Sequence, residues 1–304
     1  CPADALAGER VDDIYTPTLV GKCTSCGICY ASCPRVQFYE YDLLGDFQSV
    51  WKARTKYTDH AGQDGGAVTA MLASGIKSKL IEAAIVVVGS KDHKWLPSAV
   101  VADSEDTILK SSGSFYTHTP IIEGLVKALR AGKKKLAAVG TACNIDAIHR
   151  MEADPAGILR LHKGAEVTKI SLFCTKSYHY QRLSDFLKEN GINIHDVERF
   201  AIAGGKLSAE AGGENYEWPV KELEELATKA CDYCLDMSGV NADLSCGNVG
   251  SEDGWTTIII RTDRGKKLFE KAVAEKKIEA EKIAPEEIRA VQKLAQFKVA
   301  RKYK

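Results

Sequence analysis

The stretch Leu136-Ala137-Ala138-Val139-Gly140-Thr141-Ala142-Cys143-Asn144, running on into residues 145–151, decides the fold. Residues 136–139 are short and apolar, as a buried strand is, and 145–151 carry apolar residues at helical spacing. A strand that runs straight into a helix is the repeating step of an alternating α/β chain. The same step recurs on both sides, from about residue 62 to 274. Residues 83–88, 99–102, 168–173 and 257–261 read as strands, being short and mostly β-branched or apolar. Residues 68–80, 121–131, 180–189 and 264–274 read as helices. Pro120 suits the first turn of its helix, and Thr262 suits an N-cap. The expected fold is therefore mixed α/β on a largely parallel sheet, spanning residues 46–275 with 46–60 as its connector. Residues 276–304 read as a basic helical tail, with nine Lys and Arg against four Glu. That tail is either a solvated face or a docking element for a partner subunit.

Composition narrows the function. The chain has 304 residues, 45% hydrophobic and 27% charged, the balance of a globular protein. Its 41 basic and 41 acidic residues cancel, which disfavours nucleic acid as a partner. No apolar run approaches ~18 residues, so no membrane-spanning helix is expected. There is no signal peptide and no initial Met; the opening Cys1-Pro2 suggests that residues upstream are missing. Ten cysteines in a long chain, half of them in its first tenth, point to metal or redox work in a reducing compartment, the cytoplasm.

Cys23-x-x-Cys26-x-x-Cys29-x-x-x-Cys33-Pro34 is the bacterial ferredoxin spacing that holds a 4Fe–4S cluster. Residues 1–45 are turn-rich and need such a staple, so they read as a ferredoxin-like module, truncated at its start. Three cysteines on one tight loop cap three corners of a cubane, and Gly27 lets the loop wrap closely. In two-cluster topology Cys1 joins Cys23, Cys26 and Cys29, while Cys33 serves a second cluster whose other ligands lie upstream. The alternative is one cluster on Cys23, Cys26, Cys29 and Cys33, with Cys1 free. A structural zinc fits this spacing less well.

Cys143, Cys174 and the pair Cys231-Asp232-Tyr233-Cys234 form a scattered second set. Cys143 and Cys174 follow predicted strands, whose ends converge at one edge of a parallel sheet, where such folds bind ligands. Four thiolates from three segments suit a further 4Fe–4S cluster or a zinc; buried, inert cysteines are the bland alternative. Cys246 reads as a small packed residue. Three loops rich in small residues lie between these elements: Gln63-Asp64-Gly65-Gly66 before a helix, Ser111 to Thr117, and Cys246 to Trp255. Each alone is a turn. Together they suggest a cradle for an extended cofactor with a pyrophosphate, with Asp64, Gly65, Gly66, Ser111, Thr117, Thr141, Asn144, Asn248, Gly250 and Trp255 on its walls. The seven histidines show no zinc spacing, with His118 the one in a candidate loop. There is no P-loop and no G-x-S-x-G elbow.

In this order, Gln63 to Gly66, the Cys143 loop, Cys174, Cys231-x-x-Cys234 and Ala242 to Trp255 resemble one family, the beta subunit of coenzyme F420-reducing hydrogenase and its relatives. Those relatives include input subunits of F420H2 dehydrogenases and formate dehydrogenases, and F420-dependent sulfite reductase. The resemblance runs from about residue 54 to 275 and is strongest from Cys231 to Thr262. The N-terminal cysteine run is similar to the dehydrogenase and sulfite reductase versions. The resemblance implies FAD, a 4Fe–4S cluster on Cys143, Cys174, Cys231 and Cys234, and coenzyme F420 as substrate. It also implies other redox subunits in a hetero-oligomer and an archaeal setting, notably methanogens. Two motifs depart from the family pattern. Gly140-Thr141-Ala142-Cys143-Asn144 replaces Gly-x-Pro-Cys-Gln. Residues 203–209 replace a Lys-Gly-Lys-aromatic stretch, leaving Lys206 to meet the acidic coenzyme tail. The competing expectations are another donor, such as a ferredoxin or a partner flavoprotein, a pure electron-transfer subunit, and a zinc-stapled assembly protein.

Overall fold

The computed structural model describes residues 1, 3–11, 14–34, 43–57, 63–153, 162 and 164–301. His60, Pro2 and the last residues of the tail, 302–304, lie outside them.

An eight-stranded sheet forms the body. Its strands are β3 (Ser49–Thr55), β4 (Ala83–Gly89), β5 (Pro97–Ala102), β6 (Lys135–Thr141), β7 (Glu166–Leu172), β11 (Leu244–Gly247), β12 (Thr256–Ile260) and β13 (Ile278–Ile283). They lie side by side in the order β13-β3-β12-β11-β7-β6-β4-β5. The middle four, β11, β7, β6 and β4, are parallel, and every junction outside them is antiparallel. The sheet is thus parallel at its centre and mixed overall. Successive residues alternate between two cores, as the pleat requires. Ile258 and Ile260 face one core, and Ile259 faces another. On the first face lie α2 (Ala67–Lys77), α3 (Glu105–Lys110) and α7 (Asp263–Ala274); on the second lie α4 (Ile121–Arg130), α5 (Ala142–Ala153) and α8 (Arg289–Ala300). The stripe Ile121, Leu125, Ala128 and Leu129 buries α4, and Thr262 caps α7 by accepting from the Gly265 N–H at 3.3 Å.

A second, three-stranded antiparallel sheet, β8 (Val197–Ala203), β9 (Lys206–Ala211) and β10 (Glu214–Pro219), packs with α6 (Tyr180–Glu189) around its own core. The N-terminal module opens with the hairpin of β1 (Leu6–Val11) and β2 (Ile14–Leu19), followed by a single helical turn, α1 (Ile28–Ala31).

All five strands and all five helices expected from sequence are present. Two expectations are corrected. The connector at 46–60 contains β3, an interior strand of the sheet. The tail at 276–304 is not wholly helical: its first part is β13, paired antiparallel to β3, and only then does α8 begin. Its charges make cross-strand pairs, Lys52 with Glu281 at 3.1 Å and Arg54 with Glu279 at 2.9 Å, so alternating Glu residues mark a sheet edge here.

Candidate functional site

Thr141 and Leu172 are partners in the parallel register of β6 and β7. Cys143 and Cys174 therefore stand two residues beyond the same sheet edge. Cys143 lies in the first turn of α5. Asn144 fixes that turn, its Oδ1 accepting from the Thr141 N–H at 3.3 Å and hydroxyl at 3.0 Å; the hydroxyl also lies 3.3 Å from Cys143 Sγ. The other two thiols arrive on the turn Lys229–Tyr233, where the Cys231 N–H bonds to Thr228 and the Thr228 N–H to Ser177. The Cys174 N–H bonds in turn to Met237.

The four thiols feel one another. Burial pushes Cys174 up to about 12, helped by the charges of Cys143, Cys231 and Cys234 and opposed by Lys298. Cys231 is raised as well, first by burial and then by Cys143 and Cys234, against the Ser177 backbone and Lys298. Burial alone would push the Lys298 ammonium down, but its interactions with Cys174, Cys234 and Asp236 outweigh it and hold it raised. Among the described residues no group of three or more His, Cys, Asp or Glu closes around a single ion. Cys246, central in β11, is fully buried in the apolar core, as expected of a packed residue.

The glycine-rich loops meet at the same side. Asp64 is left-handed, φ 48°, and Gly65 packs so closely that an added Cβ would lie 2.9 Å from the Thr256 N. Gly65 is thus needed for loop-to-strand contact. Burial raises the Asp64 carboxyl, Arg199 of β8 pulls it down and Asp253 pushes it further up. Tyr116 is the hub: its hydroxyl accepts from Gln63 Nε2 at 2.9 Å and from the Ile202 N–H at 3.1 Å. Asn248 Nδ2 donates to the Ile202 carbonyl at 3.0 Å. So Gln63 to Gly66, Tyr116 with Thr117, and Asn248 are joined through β8. The Thr117 hydroxyl is buried without a partner, as is that of Thr228 beside Cys231. Tyr116, Arg199 and Lys298 carry no motif that sequence reading could use.

Other expected wall residues have protein partners of their own. The Ser111 hydroxyl bonds to Ile108 at 2.7 Å within its own turn. The Trp255 ring lies between Lys52 and Arg54, 4.8 and 4.6 Å from its centroid. Gly250 packs against Val291 of α8. Lys206 sits on the exposed β8–β9 turn and pairs with Glu217 at 2.7 Å.

In the N-terminal module Cys1, Cys23, Cys26 and Cys29 are exposed and Cys33 half-buried. Ser25 and Gly27, both left-handed, curl the loop between them. The Ser25 N–H donates to Cys23 Sγ at 3.4 Å, and the Ile28 N–H beside Cys26 holds that thiol below its usual range.

The arrangement is that of α/β proteins that bind ligands beyond the carboxyl ends of parallel strands. More narrowly, the family models of the coenzyme F420 hydrogenase/dehydrogenase beta subunit match this chain, the N-terminal model over residues 50–125 and the C-terminal one over 133–286. The chain belongs to that family. It is 32% identical to the coenzyme F420 hydrogenase subunit beta of Methanothermobacter thermautotrophicus, over 76% of this chain and 83% of that one. It is 33% identical to the coenzyme F420-dependent sulfite reductase of Methanocaldococcus jannaschii, over 98% of this chain but only 48% of the relative. Among solved structures, a chain of the F420-reducing NiFe hydrogenase complex from Methanosarcina barkeri superposes with a TM-score of 0.81 at 29% identity, covering 88% of this chain and 93% of that one.

Proposed function

We propose that this chain is a redox subunit of a larger cytoplasmic complex, exchanging electrons between coenzyme F420 and iron–sulfur clusters through FAD. The observation that carries this reading is the gathering of Cys143, Cys174, Cys231 and Cys234 at one sheet edge beside the three glycine-rich loops. The named relatives, F420 hydrogenase beta subunits and an F420-dependent sulfite reductase, agree with it. The donor set fits a 4Fe–4S cluster. A single zinc needs sulfurs only ~2.3 Å from one point, whereas these four thiols come from three separate segments. A cubane accepts a wider set. The buried, unpartnered hydroxyl of Thr117 fits a polar cofactor against the cradle wall.

A bound flavin would supply the exchange between hydride transfer, two electrons at once, and one-electron steps. The chain's own residues do the rest. The first turn of α5, fixed by Thr141 and Asn144, carries Cys143 at the sheet edge. Tyr116 and Asn248 fix the loops to β8 so that the cradle keeps its shape. Asp64 and Arg199 set the charge at its mouth. Cys1, Cys23, Cys26 and Cys29 hold a further cluster of a ferredoxin-like module, with Cys33 serving a second. That module is the wire towards partner subunits.

Anaerobic purification with iron, zinc and flavin analysis tests the cofactors. About 8 iron per chain and bound FAD are expected for two cubanes. Zinc with almost no iron sinks the reading. Stopped-flow mixing with reduced F420 tests the donor, and rapid flavin bleaching is expected. If another donor bleaches the flavin and F420 never does, the alternative of a ferredoxin or partner flavoprotein donor takes over. Because Lys206 is exposed and already paired with Glu217, Lys206→Ala should weaken F420 binding only several-fold, as suits a surface contact of at most ~1 kcal/mol. The effect should shrink with salt.

A further inference from the structure

The four-cysteine edge receives one element that no motif announced. α8 lies beyond residue 286, where the family match ends, and it plants Lys298 against the site. The Lys298 side chain is 3% exposed. Its ammonium donates to the carbonyls of Cys174 at 2.7 Å and Asp236 at 2.6 Å, the latter carbonyl also accepting from the Cys234 thiol at 3.5 Å. Both hydrogen bonds thus end on the backbone that carries the site's cysteines. Three residues on, Arg301 donates to the Thr175 carbonyl at 3.0 Å, while its Nε is buried without a partner. Lys176, next to Thr175, adds a third buried stem, although Glu224 and Asp232 already pair with it.

Burying an ammonium is costly, and two carbonyls could be tied down by a neutral donor. A cation here is accounted for by what it faces. Four thiolates around an iron–sulfur cluster leave the filled site anionic, and each added electron deepens that charge. Net charge and hydrogen bonds to sulfur are among the levers that set such potentials. We propose that Lys298, assisted by Arg301, is a positioning charge of the four-cysteine site that raises the reduction potential of the cluster held there. The C-terminal helix thereby sets the level at which this site takes an electron. This rests on the reading above that the four cysteines hold a cluster.

The test is a redox titration of the full chain, purified anaerobically and followed by EPR. The spectral component lost in Cys143→Ser is assigned to this site. Lys298→Met should disfavour reduction about tenfold, a fall of about 59 mV for one electron. Lys298→Arg, which keeps the charge, should stay near wild type, and Arg301→Gln should fall by less than Lys298→Met. A purely structural Lys298 would lower cluster content or stability without moving the potential of the clusters that form. An unshifted potential in iron-replete Lys298→Met overturns the proposal and leaves the functional reading standing. So does a Lys298→Arg shift as large as that of Lys298→Met. Absence of any such cluster in the wild-type chain overturns both. Should Lys298→Met not accumulate as folded protein, Arg301→Gln decides: a lowered potential supports the proposal, and an unshifted one overturns it.

Discussion

Arg261 shows how one side chain can secure a whole segment. At the end of β12 it is 8% exposed, and its guanidinium donates to the Ser245 and Ser238 hydroxyls at 2.8 and 3.0 Å and to the Leu44 and Asp46 carbonyls at 2.5 and 3.0 Å. Burial lowers it only to about 10, so it stays charged at neutral pH. Arg261→Met leaves those carbonyls and hydroxyls unpaired and should cost about 3 kcal/mol, read as a lower urea midpoint. Cys246 supports a pH prediction. Burial pushes its thiol up to about 12, so between the unfolded value near ~8.5 and that level the native state holds a proton the unfolded chain has lost. By linkage this contribution is full below the unfolded value and fades as pH rises, by up to ~1.4 kcal/mol per unit. Cys246→Ala should show a shallower fall in stability between pH 9 and 11 than wild type, and equal slopes would refute the assignment. The cysteines were legible in sequence because their spacing and their place after strands are local signals. Tyr116 was not: its hydroxyl partners lie 53 and 86 positions away, beyond the reach of any pattern. Lys298 was hidden in the same way, among the charges of a tail that read as a solvated face or a docking element.

At the scale of elements, the strands read correctly were short runs mostly of β-branched or apolar residues, of which β4 is the most continuous. Of those missed, β11 is a buried central strand of only four residues, Leu-Ser-Cys-Gly, that leads into a glycine-rich loop, and the others border a solvated face or lie outside the central parallel strands. In β13, Ile278 and Ile283 are buried at the two ends, and Glu279, Glu281 and Lys282 lie between them. That pattern serves a polar helix as well as an edge strand, and only pairing with β3 decides between them. The three strands of the smaller sheet escaped notice for a similar reason, since β10 alternates exposed and half-buried positions with none fully buried. The seat of α8 offers a direct test. Gly250 has φ +98°, and a Cβ there would stand 2.9 Å from Val291 Cγ2. Gly250→Ala should cost about 2 kcal/mol through strain and overpacking. Val291→Ala in the same chain should recover part of that loss. A double-mutant cycle measures the coupling, and strict additivity would show that α8 does not press on that loop.

For the whole molecule the notable contrast is between body and N-terminal module. Among the described residues, none from 1–34 enters any of the four apolar cores. Polar contacts among the described residues join the module to the body: Tyr15 donates to Glu123 at 2.6 Å, Arg10 to the Pro97 carbonyl at 3.4 Å, and Arg130 pairs with Asp4. Exposed pairs of this kind contribute ~0–1 kcal/mol each and weaken as salt rises. Hydrogen exchange in β1 and β2 should therefore quicken in high salt while β6 and β7 stay protected; equal protection at all salt concentrations would mean that other contacts hold the module. With 41 charges of each sign and no net field, the body has little long-range pull to offer a partner. Recognition then falls to local surfaces, and the hairpin exposes Val11, Leu19 and Val20. A unit whose described residues meet the body at its skin works like a plug on a socket: it can be unseated, re-aimed or exchanged for another without recutting the cores beneath it.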